Sequence, residues 1–241
     1  MEVGVYPLPE PSELGTRDGL AYALFLPPEP ASAGVLVLHG AGAAKESHFE
    51  FARAARAQGL AALAYDARGH GRSTGEFGPT AFGDALSMLD LLGEHAPAVA
   101  LRGSSMGGFT ALHAAALEPA VAAVVAVCPA PEEVLLRSLR SEEELAFRAD
   151  RAALEPWLRS ISLYEAVTRL SPHTALLLMH AQGDAQVPWT VSEELHARAR
   201  VERKRLLIAP GGDHRSVQHD AELQAESLRF VERAAQGGSP R

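Results

Sequence analysis

The sequence predicts an α/β protein: an open, mostly parallel central sheet with helices on both faces. Three observations lead there. Short apolar runs alternate with segments of helical periodicity along nearly the whole chain. The runs are bounded by turn residues such as Pro27, Asp66, Gly103 and Pro210. Most are continuously apolar, as strands covered on both faces must be.

The elements follow in order. Residues 19–26 (GLAYALFL) and 34–38 (GVLVL) read as strands. Residues 45–58 have helical periodicity and end at Gly59, a good helix stop. A buried strand follows at 60–65 (LAALAY), then a helix at 79–94. The Ala-rich runs are compatible with helix by propensity, so their length and bounding turns decide for strand. Residues 98–102 form a strand, 106–117 a helix, and 121–127 a strand stopped by Pro129. Strands at 175–180 and 204–209 come last, followed by helices at 190–200 and 217–235. The stretch 130–172 breaks this rhythm. It is charged, helical and too long for a simple crossover, so it reads as a helical insertion over the strand ends. Its acidic run, Glu142 to Glu144, reads as a solvated helix face.

At 241 residues the chain suits one α/β domain spanning 1–241. A net charge of -8 gives no reason to expect nucleic acid or an anionic membrane as partner. The start, MEVGVYPLPEPSELG, has neither a basic nor an apolar signal region, and no apolar stretch approaches a membrane span. A cytoplasmic protein is the expectation. A single cysteine, Cys128, rules out an internal disulfide and a Cys-rich metal site. The chain has no Asn, and two Lys against twenty Arg. Loss of Asn fits a thermophile, and loss of both Asn and Lys fits a GC-rich genome.

In sheets of this kind, ligands bind beyond the carboxyl ends of the strands, so the loops there hold the chemistry. The sequence AVALRGSSMGG (98–108) contains Gly103-Ser104-Ser105-Met106-Gly107, a G-x-S-x-G where a strand turns into a helix. The nucleophile of such a motif sits in a strained bend whose neighbours must lack bulk. That register selects Ser105. Ser104 would need glycine at 102 and 106, where Arg and Met stand. A serine hydroxyl needs a base, and the base needs an orienting carboxylate. His214, in APGGDH after the last strand, is the best placed of ten histidines. Asp184, in HAQGDAQVP after the preceding strand, is the carboxylate, because Asp213 is a sequence neighbour of His214 and points away. One oxyanion donor is the N–H of Met106. A second comes from the small-residue loop His39-Gly40-Ala41-Gly42, with Ala41 or Gly40 preferred. His39 shapes that loop. Asp66, Arg68 and His70 brace the site, and His113 and Cys128 pack in the interior. His48 lies on a helix surface. His39, Phe77, Trp157 and Trp189 are candidate pocket residues, with Phe82 and Tyr164 further aromatics of the same kind. No spacing suggests a metal, a dinucleotide or a nucleotide triphosphate, so no cofactor is expected.

With these residues in view, the chain resembles the α/β-hydrolase superfamily. HGAG (39–42), YDARGHGRS (65–73), GSSMGG (103–108), GDAQVP (183–188) and GGDH (211–214) match in family order, between residue 19 and about 235. The resemblance implies the α/β-hydrolase fold, a Ser105, Asp184, His214 triad in the order that fold uses, and a lid at 130–172. The chain resembles most the small carboxylesterases and the peptidase-like and dienelactone-hydrolase-like members. Ser105 departs from the cysteine of dienelactone hydrolases and the aspartate of haloalkane dehalogenases. The implied activity is hydrolysis of short or medium acyl esters through an acyl-enzyme. Peptidase, thioesterase and lactonase activities remain open on the same triad, as does a non-catalytic binding module. A small ester or related acyl compound is the expected partner. Leu135, Leu136, Leu139, Leu145, Phe147, Trp157 and Leu158 suit either a substrate lid or a homodimer contact.

Overall fold

A computed structural model describes residues 8–140 and 145–237. The acidic run Glu142 to Glu144 lies outside the described residues. The strands are β1 (Glu13–Arg17), β2 (Leu20–Phe25), β3 (Gly34–Leu38), β4 (Ala61–Tyr65), β5 (Val99–Ser104), β6 (Ala123–Val127), β7 (Ala175–Ala181) and β8 (Lys204–Ala209). They form one sheet in the order β1-β2-β4-β3-β5-β6-β7-β8. β1 pairs antiparallel with β2 and β2 with β4, and the other pairings are parallel.

The helices are α1 (Phe49–Ala57), α2 (Ala81–Gly93), α3 (Met106–Leu117), α4 (Glu132–Arg140), α5 (Arg151–Arg159), α6 (Leu163–Thr168), α7 (Thr190–Arg198), α8 (Ser216–His219) and α9 (Ala221–Ala235). A 3-10 turn, Lys45–His48, leads into α1. α1 and α9 cover one face, where Phe51, Ala55, Leu228 and Val231 meet Val35, Val125 and Leu177. α2, α3, α6 and α7 cover the other, where Met88, Phe109, Leu163 and Leu195 meet Leu36, Leu101 and Leu178. Both faces are therefore dry, which explains the continuous apolar runs.

Three expectations change. β1 was absent from the sequence reading: ELGTR exposes Leu14 and has no apolar alternation, and it is held by pairing with β2. The helix expected at 217–235 is two helices, because Asp220 leaves helical geometry and its side chain caps α9 by accepting from the Leu223 N–H. His48 is buried in the 3-10 turn, not on a helix surface. None of the described helices is long and apolar enough to cross a membrane.

The parallel register brings the strand ends level. Leu38 of β3 lies opposite Gly103 of β5, Ser104 opposite Val127, Val127 opposite Met179, and Ala181 opposite Ala209. The segments 39–42, 105–106, 128–130, 182–188 and 210–215 thus leave one edge of the sheet together.

Candidate active site

Ser105 stands between β5 and α3 with φ 54° and ψ -117°, a left-handed conformation that L residues adopt only when their surroundings impose it. The surroundings are visible. The Ser105 N–H donates to Val127 O at 2.9 Å, and its carbonyl accepts from Phe109 N at 3.0 Å and Ala130 N at 3.2 Å. The two glycines are required by contact. A Cβ at Gly103 would lie 2.1 Å from Gly107 O, and one at Gly107 would lie 2.2 Å from Leu38 O. The bend is thus wedged between the start of α3 and the loop after β3.

That loop carries Gly40 and Ala41. A Cβ at Gly40 would be 3.5 Å from Ser105 Cβ, so the loop backbone runs directly beside the serine. Met106 is the first residue of α3, where backbone N–H groups have no partner within the helix. The loop is braced from below. His39 Nε2 accepts from the Ala67 N–H at 3.0 Å. The buried Asp66 accepts from Lys45 N and Lys45 Nζ, each at 2.8 Å, and from Arg72 N at 2.9 Å. Burial pushes the Asp66 carboxyl up, but the Arg72 N–H and both Lys45 donors outweigh it and hold it low. Arg68 reaches Asp84 on α2 at 2.9 Å.

Asp184 is buried beyond β7. Its Oδ1 accepts from Gln186 N and Val187 N, each at 2.9 Å, and its Oδ2 accepts from His214 Nδ1 at 2.6 Å. Burial raises the carboxyl, and the Val187 N–H, the His214 imidazole and the Gln186 N–H bring it below its ordinary value. Asp213 does not compete for His214. Its carboxylate accepts from Arg215 N and Ser216 N instead. The helix after His214 is tethered to the nucleophile strand, because Arg102, buried within β5, donates to Gln218 O at 3.3 Å. Arg102 also stacks on Phe51, 4.1 Å from the ring centroid.

Ser105 and His214 line one cavity of about 390 Å³, with Gly40, Ala41, Val134, Leu135 and Gln186 among its walls. No hydrogen bond joins Ser105 Oγ to His214 among the described contacts. Such contacts are commonly long without substrate. Of the candidate pocket residues, Phe77 lines a smaller apolar pocket of about 30 Å³ that shares Ala41, Leu135 and Ser138 with the cavity beside Ser105. His39, Trp157 and Trp189 are not on the cavity wall. His39 is spent on the loop, and Trp157 packs on Phe77, Phe82 and Phe109. Trp189 is half-buried at the start of α7. Tyr164 receives the Arg198 guanidinium over its ring. His113 stacks on Phe82 inside the core. The insertion's apolar residues turn inward: Leu136, Leu139 and Leu158 are buried and Leu135, Leu145, Phe147 and Trp157 pack on the core.

Sequence reasoning missed His180. It is fully buried in β7, and its Nε2 lies 3.2 Å from Asp184 Oδ2. The only signal was its position four residues before Asp184. Cys128, just past β6 with φ 44°, was expected to pack in the interior. It is indeed buried, and its thiol belongs to the same cluster as Asp184 and His214, their donor atoms all within 4.8 Å of one another. This is the one described group with metal-like donors. Its 2.6 Å N–O distance is that of a hydrogen bond, shorter than the roughly 3.3 Å between two ligands of one tetrahedral zinc.

Comparison with known proteins agrees with the fold. The profile of the family described as serine aminopeptidase, S33, matches residues 29–147. Thiohydrolase apmlB of Arthrinium phaeospermum is 37% identical over 135 residues, which are 52% of this chain and 44% of that protein. The match therefore spans less than half of the relative. Among solved structures, Est1E from Butyrivibrio proteoclasticus with ferulic acid bound has a TM-score of 0.71 at 20% identity, covering 94% of this chain and 99% of its own. The α/β-hydrolase GrgF from Penicillium sp. sh18 has a TM-score of 0.74 at 20% identity, covering 90% and 94%.

Proposed function

The chain belongs to the α/β-hydrolase superfamily, and from that premise we propose that it is a serine hydrolase cleaving carboxylic esters through an acyl-enzyme on Ser105. One observation carries the reading. A buried, ionised Asp184 holds His214 at 2.6 Å on the wall of the cavity that also contains Ser105.

The chemistry follows from the groups present. His214, its Nδ1–H fixed by Asp184, presents Nε2 as the acceptor for the Ser105 hydroxyl proton. Ser105 Oγ attacks the ester carbonyl. The oxyanion forms between the N–H of Met106 and that of Ala41 or Gly40, which are fixed in place before the reaction. His214 then gives its proton to the leaving alcohol, and the acyl group stays on Ser105. Water, deprotonated by His214, attacks the acyl-enzyme in the same geometry. The acid leaves and Ser105 regains its proton. The insertion at 130–172 serves as the lid in this reading, and its Val134, Leu135 and Ser138 form the cavity wall that would face the acyl group.

Thioester cleavage is the second reading, supported by the likeness to a thiohydrolase. The same triad serves both, since only the leaving atom differs. A panel of p-nitrophenyl esters, matched acyl thioesters and aminoacyl amides, compared by kcat/KM, separates these activities. Esters should lead, and a fluorophosphonate should label Ser105. No turnover of any member and no labelling would overturn the reading.

A further inference from the structure

Asp184 Oδ2 faces two imidazoles, and only one of them takes part in the chemistry above. His180 Nε2 lies 3.2 Å from Asp184 Oδ2 and 3.0 Å from Val187 O, while its Nδ1 lies 2.7 Å from Ser192 Oγ. His180 and Ser192 are both fully buried, on β7 and α7.

The surroundings fix the tautomer. Nε2 faces a carbonyl oxygen and an ionised carboxylate, neither of which can donate, so Nε2 carries a hydrogen. Burial pulls the ring away from its charged form, with the Val187 carbonyl and Asp184 only partly offsetting it. Nδ1 is then a bare acceptor, and the Ser192 hydroxyl donates to it. The result is a directed arrangement: Ser192 O–H to His180 Nδ1, His180 Nε2–H to the Val187 carbonyl with Asp184 Oδ2 also 3.2 Å from that nitrogen, and His214 Nδ1–H to the same carboxylate oxygen. Four nitrogen groups converge on the carboxylate, counting the Gln186 and Val187 N–H groups on Oδ1, and the Cys128 thiol is a further hydrogen-bond partner.

We propose that His180, held as its Nε2–H tautomer by Ser192, is a positioning residue for hydrolysis: it locks the Asp184 carboxylate toward His214 and takes up part of its charge. The proposal rests on the serine-hydrolase reading above. Two effects follow. With Oδ1 and Oδ2 both tied, the carboxylate cannot rotate when His214 becomes charged. A second donor on Oδ2 also makes the carboxylate a weaker base, so the proton stays on His214 Nδ1. The titratable groups beside this cluster, among the described residues, are His214, Cys128 and Asp213. Burial pushes the Cys128 thiol up to about 12, so it stays neutral. Asp213 is turned to the Arg215 and Ser216 N–H groups.

The test is the pH profile of kcat/KM for wild type, His180→Leu, His180→Gln and Ser192→Ala, between about pH 5 and pH 9. Without the His180 donor, charge concentrates toward His214 and the base releases its proton less readily. In His180→Leu the acid limb should move up by about half a pH unit, with kcat down about tenfold and KM within about twofold. Glutamine keeps an N–H donor near the Nε2 position, so His180→Gln should hold the limb near wild type and recover most of kcat. Ser192→Ala should shift the limb in the same direction by less. An unmoved limb in His180→Leu, or a His180→Gln no better than His180→Leu, overturns the proposal in favour of simple packing. If His180→Leu does not fold, ¹⁵N NMR of wild type decides. A bare Nδ1 and protonated Nε2 at His180 across the range supports the proposal, and an Nδ1–H tautomer or imidazolium overturns it. Fluorophosphonate labelling of wild type separates the two levels. Labelled Ser105 with an unmoved limb sinks the His180 role alone, and absence of labelling sinks the serine-hydrolase reading, leaving the NMR result to judge the tautomer.

Discussion

Replacing Gly107 by alanine should disable catalysis while leaving the protein folded. The added Cβ would sit 2.2 Å from Leu38 O, 2.6 Å from the Leu38 carbonyl carbon and 2.7 Å from His39 O. All three are backbone atoms, so no side chain can turn aside. Such contacts must open beyond 3.0 Å, so the first turn of α3 and the loop after β3 must part by about 1 Å. One of these segments carries Ser105 and the Met106 N–H. The other carries Gly40 and Ala41. The substitution therefore pulls the two halves of the proposed oxyanion site apart. A misplacement of about 1 Å costs on the order of 10² in rate, or about 2.7 kcal/mol of transition-state stabilisation. The assay is kcat on p-nitrophenyl acetate, with circular dichroism to establish folding. KM should change less than kcat, because the opposite wall of the cavity, from Val134, Leu135 and Ser138, is not displaced. Gly83→Ala is the control: Gly83 is exposed on α2, and a Cβ there meets nothing within 4 Å. It should leave kcat alone and add up to about 1 kcal/mol of stability. A folded Gly107→Ala protein with kcat within about threefold of wild type would refute the reasoning.

Two further outcomes are expected. Ser105→Ala should abolish ester turnover and Ser104→Ala should retain most of it, since Ser105 holds the strained bend between Gly103 and Gly107 while Ser104 is buried in β5; equal losses would show that the wrong serine was chosen. Acid should destabilise the fold through His113, which stacks on Phe82 and whose pKa burial lowers to about 4. The unfolded chain takes up that proton near its ordinary value of about 6.5 while the folded chain does not, so stability is full above that pH and is lost as pH falls toward about 4. From pH 7 to pH 5, urea unfolding should cost wild type about 2 kcal/mol more than His113→Phe, which keeps the ring stack. The comparison with the variant matters, because Glu132, raised by burial, works in the opposite direction. Parallel slopes would remove His113 from the account.

The parallel part of the sheet was legible because strands covered on both faces leave continuous apolar runs, and LAALAY, VAAVVAV and ALLLMH are of that kind. β1 was not, because ELGTR is an edge strand stabilised by its partner and not by its own pattern. His48 misled because a 3-10 turn shifts the face that a helical pattern assigns. Ser105 could be picked from Ser104 because a tight backbone approach admits only glycine, and that requirement is written in the sequence at 103 and 107. The pocket aromatics could not be assigned. An aromatic that fills a core and one that lines a cavity have the same sequence signature, and Trp157 took the first role. His180 was hidden for a related reason: one polar residue in an apolar strand reveals nothing about which atom it faces.

The position of α4, α5 and α6 has an evolutionary consequence. They occupy the crossover between β6 and β7, two adjacent parallel strands that need a long connection in any case. Lengthening such a connection is cheap, about 0.6 kcal/mol for each doubling of a flexible loop. The groups proposed for bond cleavage are anchored elsewhere, in the sheet and its other loops, while Val134, Leu135 and Ser138 of this crossover face the cavity. Selection can therefore rewrite α4 and α5 by insertion, deletion or exchange while α6 keeps the sheet covered and Ser105, Asp184 and His214 stay in place. Diversification of substrate range in this lineage should be concentrated there, and recombining this one segment between homologues is the shortest route to a new preference.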